Sequence, residues 1–219
     1  MVIWKPSETQ RGQHGHQDVS AIEARMLQLM NDGAHDKQLI YRVLYYVADI
    51  AGDYTVDMDV LLAAALLHDI GREAQFRNHK IDHAIYGADM AYEYLAQSGW
   101  SAEKAEHVRQ CISTHRYRKE MKPESIEAKI LFDADKLDVT GAIGIARTLA
   151  YKGIVAEPLY SVGTEGNVLD GTGDKEPSFF QEYNYKLKNV YDGFYTKRAK
   201  EIAMGRKEVA KIFTAVQDN

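Results

Sequence analysis

The sequence contains one cysteine, Cys111, so a disulfide within the chain is excluded and a reducing compartment is expected. It has no excess of positive charge: at a net charge of −5 it carries no general affinity for a nucleic-acid polymer, which requires a basic face. An anionic partner must then be drawn by local charge, from a metal or a few arginines. No stretch is apolar and long enough to span a membrane, and residues 1–18 lack the apolar centre of a signal peptide. The expectation is a cytoplasmic protein with no membrane partner. Internal repeats, low-complexity tracts, glycine-rich phosphate loops and serine-nucleophile motifs are all missing. No convincing strand pattern occurs either, which leaves an all-α fold.

What the chain does have is a globular composition. Its 219 residues are 45% apolar and 27% charged, enough for one domain with a substantial core. Residues 1–18 are polar and read as a flexible lead-in. Residues 19–152 carry helical patterning throughout and form the core. The clearest stripe is Leu39, Ile40, Val43, Leu44 and Val47, spaced for a helix with one buried side. From 153 to 177 the pattern is lost among five glycines and two prolines, a long loop that serves either as a flap or as an insertion. Residues 178–219 read as two helices packed on the core.

One stretch dominates. Leu61 to Leu67 is apolar on every side, the mark of a buried helix, and it runs directly into His68-Asp69-Ile70-Gly71. Burying an imidazole and a carboxylate is costly unless each finds a strong partner. A metal ion satisfies both; a core aspartate bonded to backbone is the alternative. Gly71 is expected to end the helix in the left-handed conformation, and Asp57 or Asp59 to cap its start.

Other polar groups fall on buried faces. His35 lies one turn before Leu39, and Arg42 projects from the same side. His79 and His83, four apart, are expected on one face of a helix over 79–97. His115 continues the stripe of Ala105, Val108 and Ile112. In Asp133-Ala134-Asp135-Lys136-Leu137-Asp138, solvation accounts for Asp133 but less well for Asp135, at the margin of the buried face. His35, His68, Asp69 and Asp135 together offer two imidazoles and two carboxylates. That mixed set suits Mn²⁺, Fe²⁺, Co²⁺, Ni²⁺ or Zn²⁺ better than Ca²⁺.

A histidine, then an adjacent His-Asp pair, then a distant aspartate, each on its own helix, resembles the HD superfamily of metal-dependent phosphohydrolases. The matching features are Ala34-His35-Asp36, His68-Asp69-Ile70, Asp133-Ala134-Asp135-Lys136-Leu137 and Gly141-Ala142-Ile143-Gly144. The likeness is greatest to the small stand-alone bacterial members. It implies a single HD-domain helical bundle with the long loop and a C-terminal helical extension. It implies His35, His68, Asp69 and Asp135 as metal ligands, with Mn²⁺ the first choice and Mg²⁺, Fe²⁺, Co²⁺, Ni²⁺ or Zn²⁺ as alternatives. The activity implied is hydrolysis of a nucleotide or related small phosphate ester by metal-activated water, including triphosphate cleavage to monophosphate and pyrophosphate.

Around the metal, the resemblance suggests Arg72 as a phosphate clamp and Glu73 as the group orienting water beside Asp69. Arg42 and Lys136 are candidates for neutralising phosphate charge, and His83 and His115 for lining the substrate site around one metal. Binuclear relatives use two such histidines for a second metal. Two other readings stay open, a binuclear iron oxygenase on the same scaffold and a non-catalytic nucleotide-binding regulatory module. Self-association into a homo-oligomer also stays open.

Overall fold

The computed structural model of the chain describes residues 19–30, 37–116 and 121–214, with side chains through 210. His35 and the residues up to 18 lie outside the described residues. The helices are α1 (Val19–Leu29), α2 (Lys37–Ala51), α3 (Met58–Leu67), α4 (Arg72–Arg77), α5 (His83–Gln97), α6 (Ala102–Ser113), α7 (Ile126–Leu137), α8 (Gly141–Ile154), α9 (Phe179–Tyr185) and α10 (Lys197–Thr214). A 3-10 turn over Leu187–Asp192 links the last two. Among the described residues the only extended pairing is an isolated antiparallel bridge, Val162 to Val168. The fold is all-α.

The core forms around α3. Val60 through Leu67 are all buried, as a helix apolar on every side requires. α1, α2, α5, α6 and α7 pack around it. Its first turn is secured by Asp57, whose Oδ1 accepts from the backbone N–H of Asp59 at 3.1 Å and of Val60 at 3.2 Å. α2 turns the predicted stripe inward, with Leu39, Ile40, Val43 and Val47 buried and Leu44 partly buried, and Ile50 extends it.

The far end of α3 departs from expectation. Gly71 is not left-handed; its φ is −82° in a right-handed turn. Its lack of a side chain serves close approach instead. A Cβ there would lie 2.3 Å from the carbonyl oxygen of His83 and 2.8 Å from the backbone nitrogen of Gly87. Gly71 and Gly87 thus let the turn after α3 rest directly on α5. The helix over 79–97 is also shorter than predicted. Asp82 caps it by accepting from Ala84 N–H at 2.9 Å, so α5 starts at His83 and His79 stays in the preceding turn. His79 and His83 do not share a helical face.

The C-terminal segment packs on α2, α7 and α8 through α10. Asp133 is buried, against the solvated reading, and its carboxylate caps α10 from a distant part of the chain. It accepts from the N–H of Tyr195 at 3.0 Å, the N–H of Thr196 at 2.6 Å and the hydroxyl of Thr196 at 2.6 Å. Residues 155–178 are held at their ends, where Phe179 and Phe180 donate to the carbonyls of Pro158 and Leu159.

Candidate metal centre

Four elements deliver the polar groups to one place. His68 caps the C-terminal end of α3, and Asp69 follows in the turn that Gly71 presses against α5. His83 is the first residue of α5, and His115 follows α6. Asp135 lies in the last turn of α7. His68, Asp69, His83 and His115 are buried, whereas the Asp135 side chain keeps 24% of its exposure.

The Asp69 carboxylate is the hub, each oxygen facing a different group of donors. Its Oδ2 lies 3.7 Å from His68 Nε2, which is also 3.7 Å from Asp135 Oδ1. Its Oδ1 lies 3.3 Å from His83 Nε2 and 3.6 Å from His115 Nε2, and accepts from Arg72 Nε at 2.9 Å. Asp69, His83 and His115 offer ligand atoms that all lie within 4.8 Å of one another.

The imidazole tautomers follow from their outer bonds. His68 Nδ1 lies 2.8 Å from the Ala65 carbonyl oxygen, and His115 Nδ1 lies 2.6 Å from that of Ile112. A carbonyl only accepts, so Nδ1 carries the proton in both rings. His83 Nδ1 meets Gln75 Oε1 at 2.6 Å, with the same consequence. In the neutral ring each Nε2 is then a lone pair facing Asp69, and all three are buried with no hydrogen-bond partner. Metal-ligating histidines show this pattern, one nitrogen fixed by a carbonyl and the other free for the ion. Ligand bonds of about 2.0–2.2 Å fit donor atoms at these separations.

Electrostatics favour the same protonation states. Burial pushes the His68 imidazole down, and burial likewise lowers His83 to about 4, so both are neutral near pH 7. Burial alone would raise Asp69, but the Arg72 guanidinium outweighs it and holds the carboxyl well below its usual range. Asp69 is an anion faced by the neutral imidazoles of His68 and His83, a donor set suited to a cation.

The remaining candidates separate. Arg72 reaches the centre through Asp69. Glu73, the next residue on α4, is half-buried and pairs with Arg77 rather than with the centre, because adjacent helical side chains diverge by about 100°. Lys136 donates to the Gly193 carbonyl at 3.0 Å, and its ammonium lies near the rings of Phe132 and Phe194, so it engages the C-terminal segment. Arg42 bonds Asp138. Sequence reasoning missed Gln75, which sits in what reads as a plain charged connector; only its position eight residues before His83 hinted at contact across the turn.

The HD domain family profile matches residues 40–140. YpgQ of Bacillus subtilis is 30% identical over 177 residues, which span 78% of this chain and 77% of YpgQ. The chain belongs to the HD-domain family. Its fold also matches solved HD proteins. The crystal structure of YpgQ in complex with ADP superposes with a TM-score of 0.68 at 26% identity, covering 89% of this chain and 90% of that one. An HD-superfamily hydrolase from Bacillus thuringiensis gives 0.66 at 27% identity, covering 89% and 92%. HD domains bind divalent metals, and the buried Asp69, His83 and His115 fit such a site. No helix among the described residues is long and apolar enough to cross a membrane.

Proposed function

We propose that this protein is a metal-dependent phosphohydrolase acting on a nucleotide or related small phosphate ester. The observation that carries the reading is the set of three buried, unpartnered Nε2 lone pairs turned toward the Asp69 carboxylate. Outside a metal site such an arrangement is costly. The structure of YpgQ with ADP supports a nucleotide as the substrate class.

His68, Asp69 through Oδ2, and Asp135 would hold one ion, with His35 as the further ligand implied by the family pattern. A bound divalent ion lowers the pKa of a coordinated water toward neutrality and screens phosphate charge. Arg72 spends only its Nε on Asp69, and its side chain keeps 35% of its exposure, so its other N–H groups are available to a phosphoryl oxygen. Asp69 fixes that guanidinium at the centre.

Two roles for His83 and His115 are open, phosphate contact or a second ion with Asp69 Oδ1. Their tautomers support the ion. A neutral imidazole whose Nδ1–H is committed to a carbonyl presents only an acceptor, and phosphate oxygens are also acceptors. Protonating His83 to make it a donor runs against its lowered pKa.

The test is a hydrolysis screen of phosphorylated metabolites with Mn²⁺ and other divalent ions, following orthophosphate and pyrophosphate, with elemental analysis alongside. Turnover is expected to disappear with chelator, return with metal, and be lost together with bound metal in Asp69→Ala. Turnover that survives complete metal removal overturns the proposal. Two tightly held irons per chain with oxygen consumption would move the protein to the oxygenases. Nucleotide binding without turnover in any metal would leave a regulatory module.

A further inference from the structure

Within the centre, Asp135 differs from the other candidate ligands in how it is held. The rings of His68, His83 and His115 are fixed at Nδ1, and Asp69 is fixed by Arg72. Asp135 meets His68 Nε2 at 3.7 Å, and among the described residues its carboxylate accepts no hydrogen bond. Its place is therefore set by the backbone of α7, which ends two residues later at Leu137. The last carbonyls of a helix lack donors of their own, so that end needs partners from elsewhere.

The C-terminal segment supplies them. Arg206 of α10 donates from Nη1 to the Leu137 carbonyl at 3.2 Å and to Thr140 Oγ1 at 3.3 Å, and from Nη2 to the Tyr46 hydroxyl of α2 at 2.9 Å. Its guanidinium also lies over the Tyr46 ring, 5.0 Å from the centroid. A cation at a helix C-terminus suits the helix dipole. Between Asp135 and Leu137, Lys136 donates to the Gly193 carbonyl at 3.0 Å. On the other side of Asp135, Asp133 accepts from the N–H groups of Tyr195 and Thr196. α7 thus caps α10 through Asp133, and α10 caps α7 through Arg206. Gly141, from the run Gly141-Ala142-Ile143-Gly144, admits the second cap. Its φ is +59°, and a Cβ there would lie 2.8 Å from Arg206 Cβ and 3.3 Å from the Arg206 carbonyl oxygen. The HD family profile ends at residue 140, so Gly141 and Arg206 both lie beyond it.

We propose that Arg206 is a positioning residue for the metal centre. By tying the end of α7 to α2, it fixes the backbone from which Asp135 reaches the ion. The C-terminal segment is then a working part of the metal-binding unit and not a separate cover on the core. Arg206 forms no ion pair with a carboxylate among the described residues; its three hydrogen bonds go to neutral groups where α2, α7 and α8 meet. Arg198 on the same helix does the opposite and pairs with Asp49 of α2. The inference rests on Asp135 as a ligand of the proposed hydrolase and is independent of which phosphate ester is cleaved.

Calorimetric titration of Mn²⁺ into the full-length protein tests it, with urea unfolding of each variant alongside. Arg206→Met removes the three hydrogen bonds and keeps much of the side chain's bulk. It is expected to weaken Mn²⁺ binding about tenfold, the lower end for outer partners of a metal site. Arg206→Lys keeps the charge but not the fork and is expected to recover part of that loss. Two controls separate positioning from general weakening. Arg198→Met breaks the pair with Asp49 on the same helix, and Ile22→Val trims the core at α1, which carries none of these ligands. Both are expected to leave Mn²⁺ affinity unchanged whatever they lose in urea. If Arg206→Met does not fold, Arg206→Lys carries the comparison against the same controls. Unchanged affinity in the Arg206 variants, or an equal fall in the controls, overturns the positioning role. If Mn²⁺ binding ignores Arg206 but is lost in Asp69→Ala, only this inference fails. If the unaltered protein holds no divalent ion, the phosphohydrolase reading fails with it.

Discussion

At the scale of single residues, the proposed chemistry depends on which nitrogen of each imidazole carries a proton. His68 and His115 take their tautomers from backbone carbonyls within their own chain turns, which no side-chain substitution removes. His83 depends on the Gln75 side chain, so its tautomer can be changed. Gln75→Leu removes the acceptor at His83 Nδ1 and leaves the ring free to turn or change tautomer. Outer partners of this kind typically contribute about 10–100-fold to metal affinity. We expect a loss of that order for an ion bound by Asp69, His83 and His115, measured by metal titration, with an ion on His68 and Asp135 less affected. Equal affinity in the variant would show that Gln75 does not orient the ring for binding. Gly71 is a second residue with an outsized effect. Gly71→Ala sets a Cβ against the His83 carbonyl oxygen and Gly87 nitrogen, both backbone atoms that cannot swing aside. Overpacking of this sort costs about 1–3 kcal/mol. A lowered thermal midpoint together with weaker metal binding is expected, because the displaced segment carries His83.

At the scale of elements, α3 shows how a helix can be apolar all round and still be placed with accuracy. Its hydrophobic faces do not orient it, so its ends must. Asp57 fixes the start; His68 and Asp69, with the turn closed by Gly71, fix the finish. Asp57→Ala should cost about 1 kcal/mol, the usual value of an N-cap, read as a shift of the urea midpoint. The same residue sets a pH dependence. Burial alone would raise the Asp57 carboxyl, but Lys104 and the N–H groups of Val60 and Asp59 together hold it below its ordinary value. A depressed carboxyl binds protons less readily in the folded state than in the unfolded one. Its contribution is therefore complete above the unfolded value near 3.8 and is lost as the pH falls through the lower folded value. Partial exposure and salt reduce its size. Acid denaturation of Asp57→Asn should accordingly show a shallower loss of stability below about pH 4 than the unaltered protein, and an identical slope would assign the acid sensitivity elsewhere.

For the whole molecule, what could be read from sequence was what repeats locally. The stripe of α2, the uniformly apolar α3 and the adjacent His68-Asp69 are short-range patterns, and they carried the all-α fold and the metal hypothesis. Long-range pairings left no such trace. Gln75 beneath His83, Arg147 against Asp138, and the close contact of Gly71 with α5 each depend on how separate elements pack. Asp133 is the clearest case: an acid in an acid-rich run suggests solvent, yet its carboxylate is buried against a segment about sixty residues later. That contact joins the C-terminal helix to α7, the helix that carries Asp135 toward the centre and is capped by Asp138. Three donors converge on one carboxylate, which costs less than the same burial unpartnered. Asp133→Ala strands the N–H groups of Tyr195 and Thr196 and removes the cap from α10. Hydrogen bonds to a charged group contribute about 1.5–3 kcal/mol each, and relaxation with water entry would return part of that. We therefore expect a loss of roughly 2 kcal/mol in urea unfolding, with proteolytic cleavage appearing first around residues 193–196. If the C-terminal segment instead stays protected while α7 loosens, the latch works in the opposite direction, with α10 holding the metal-bearing helix.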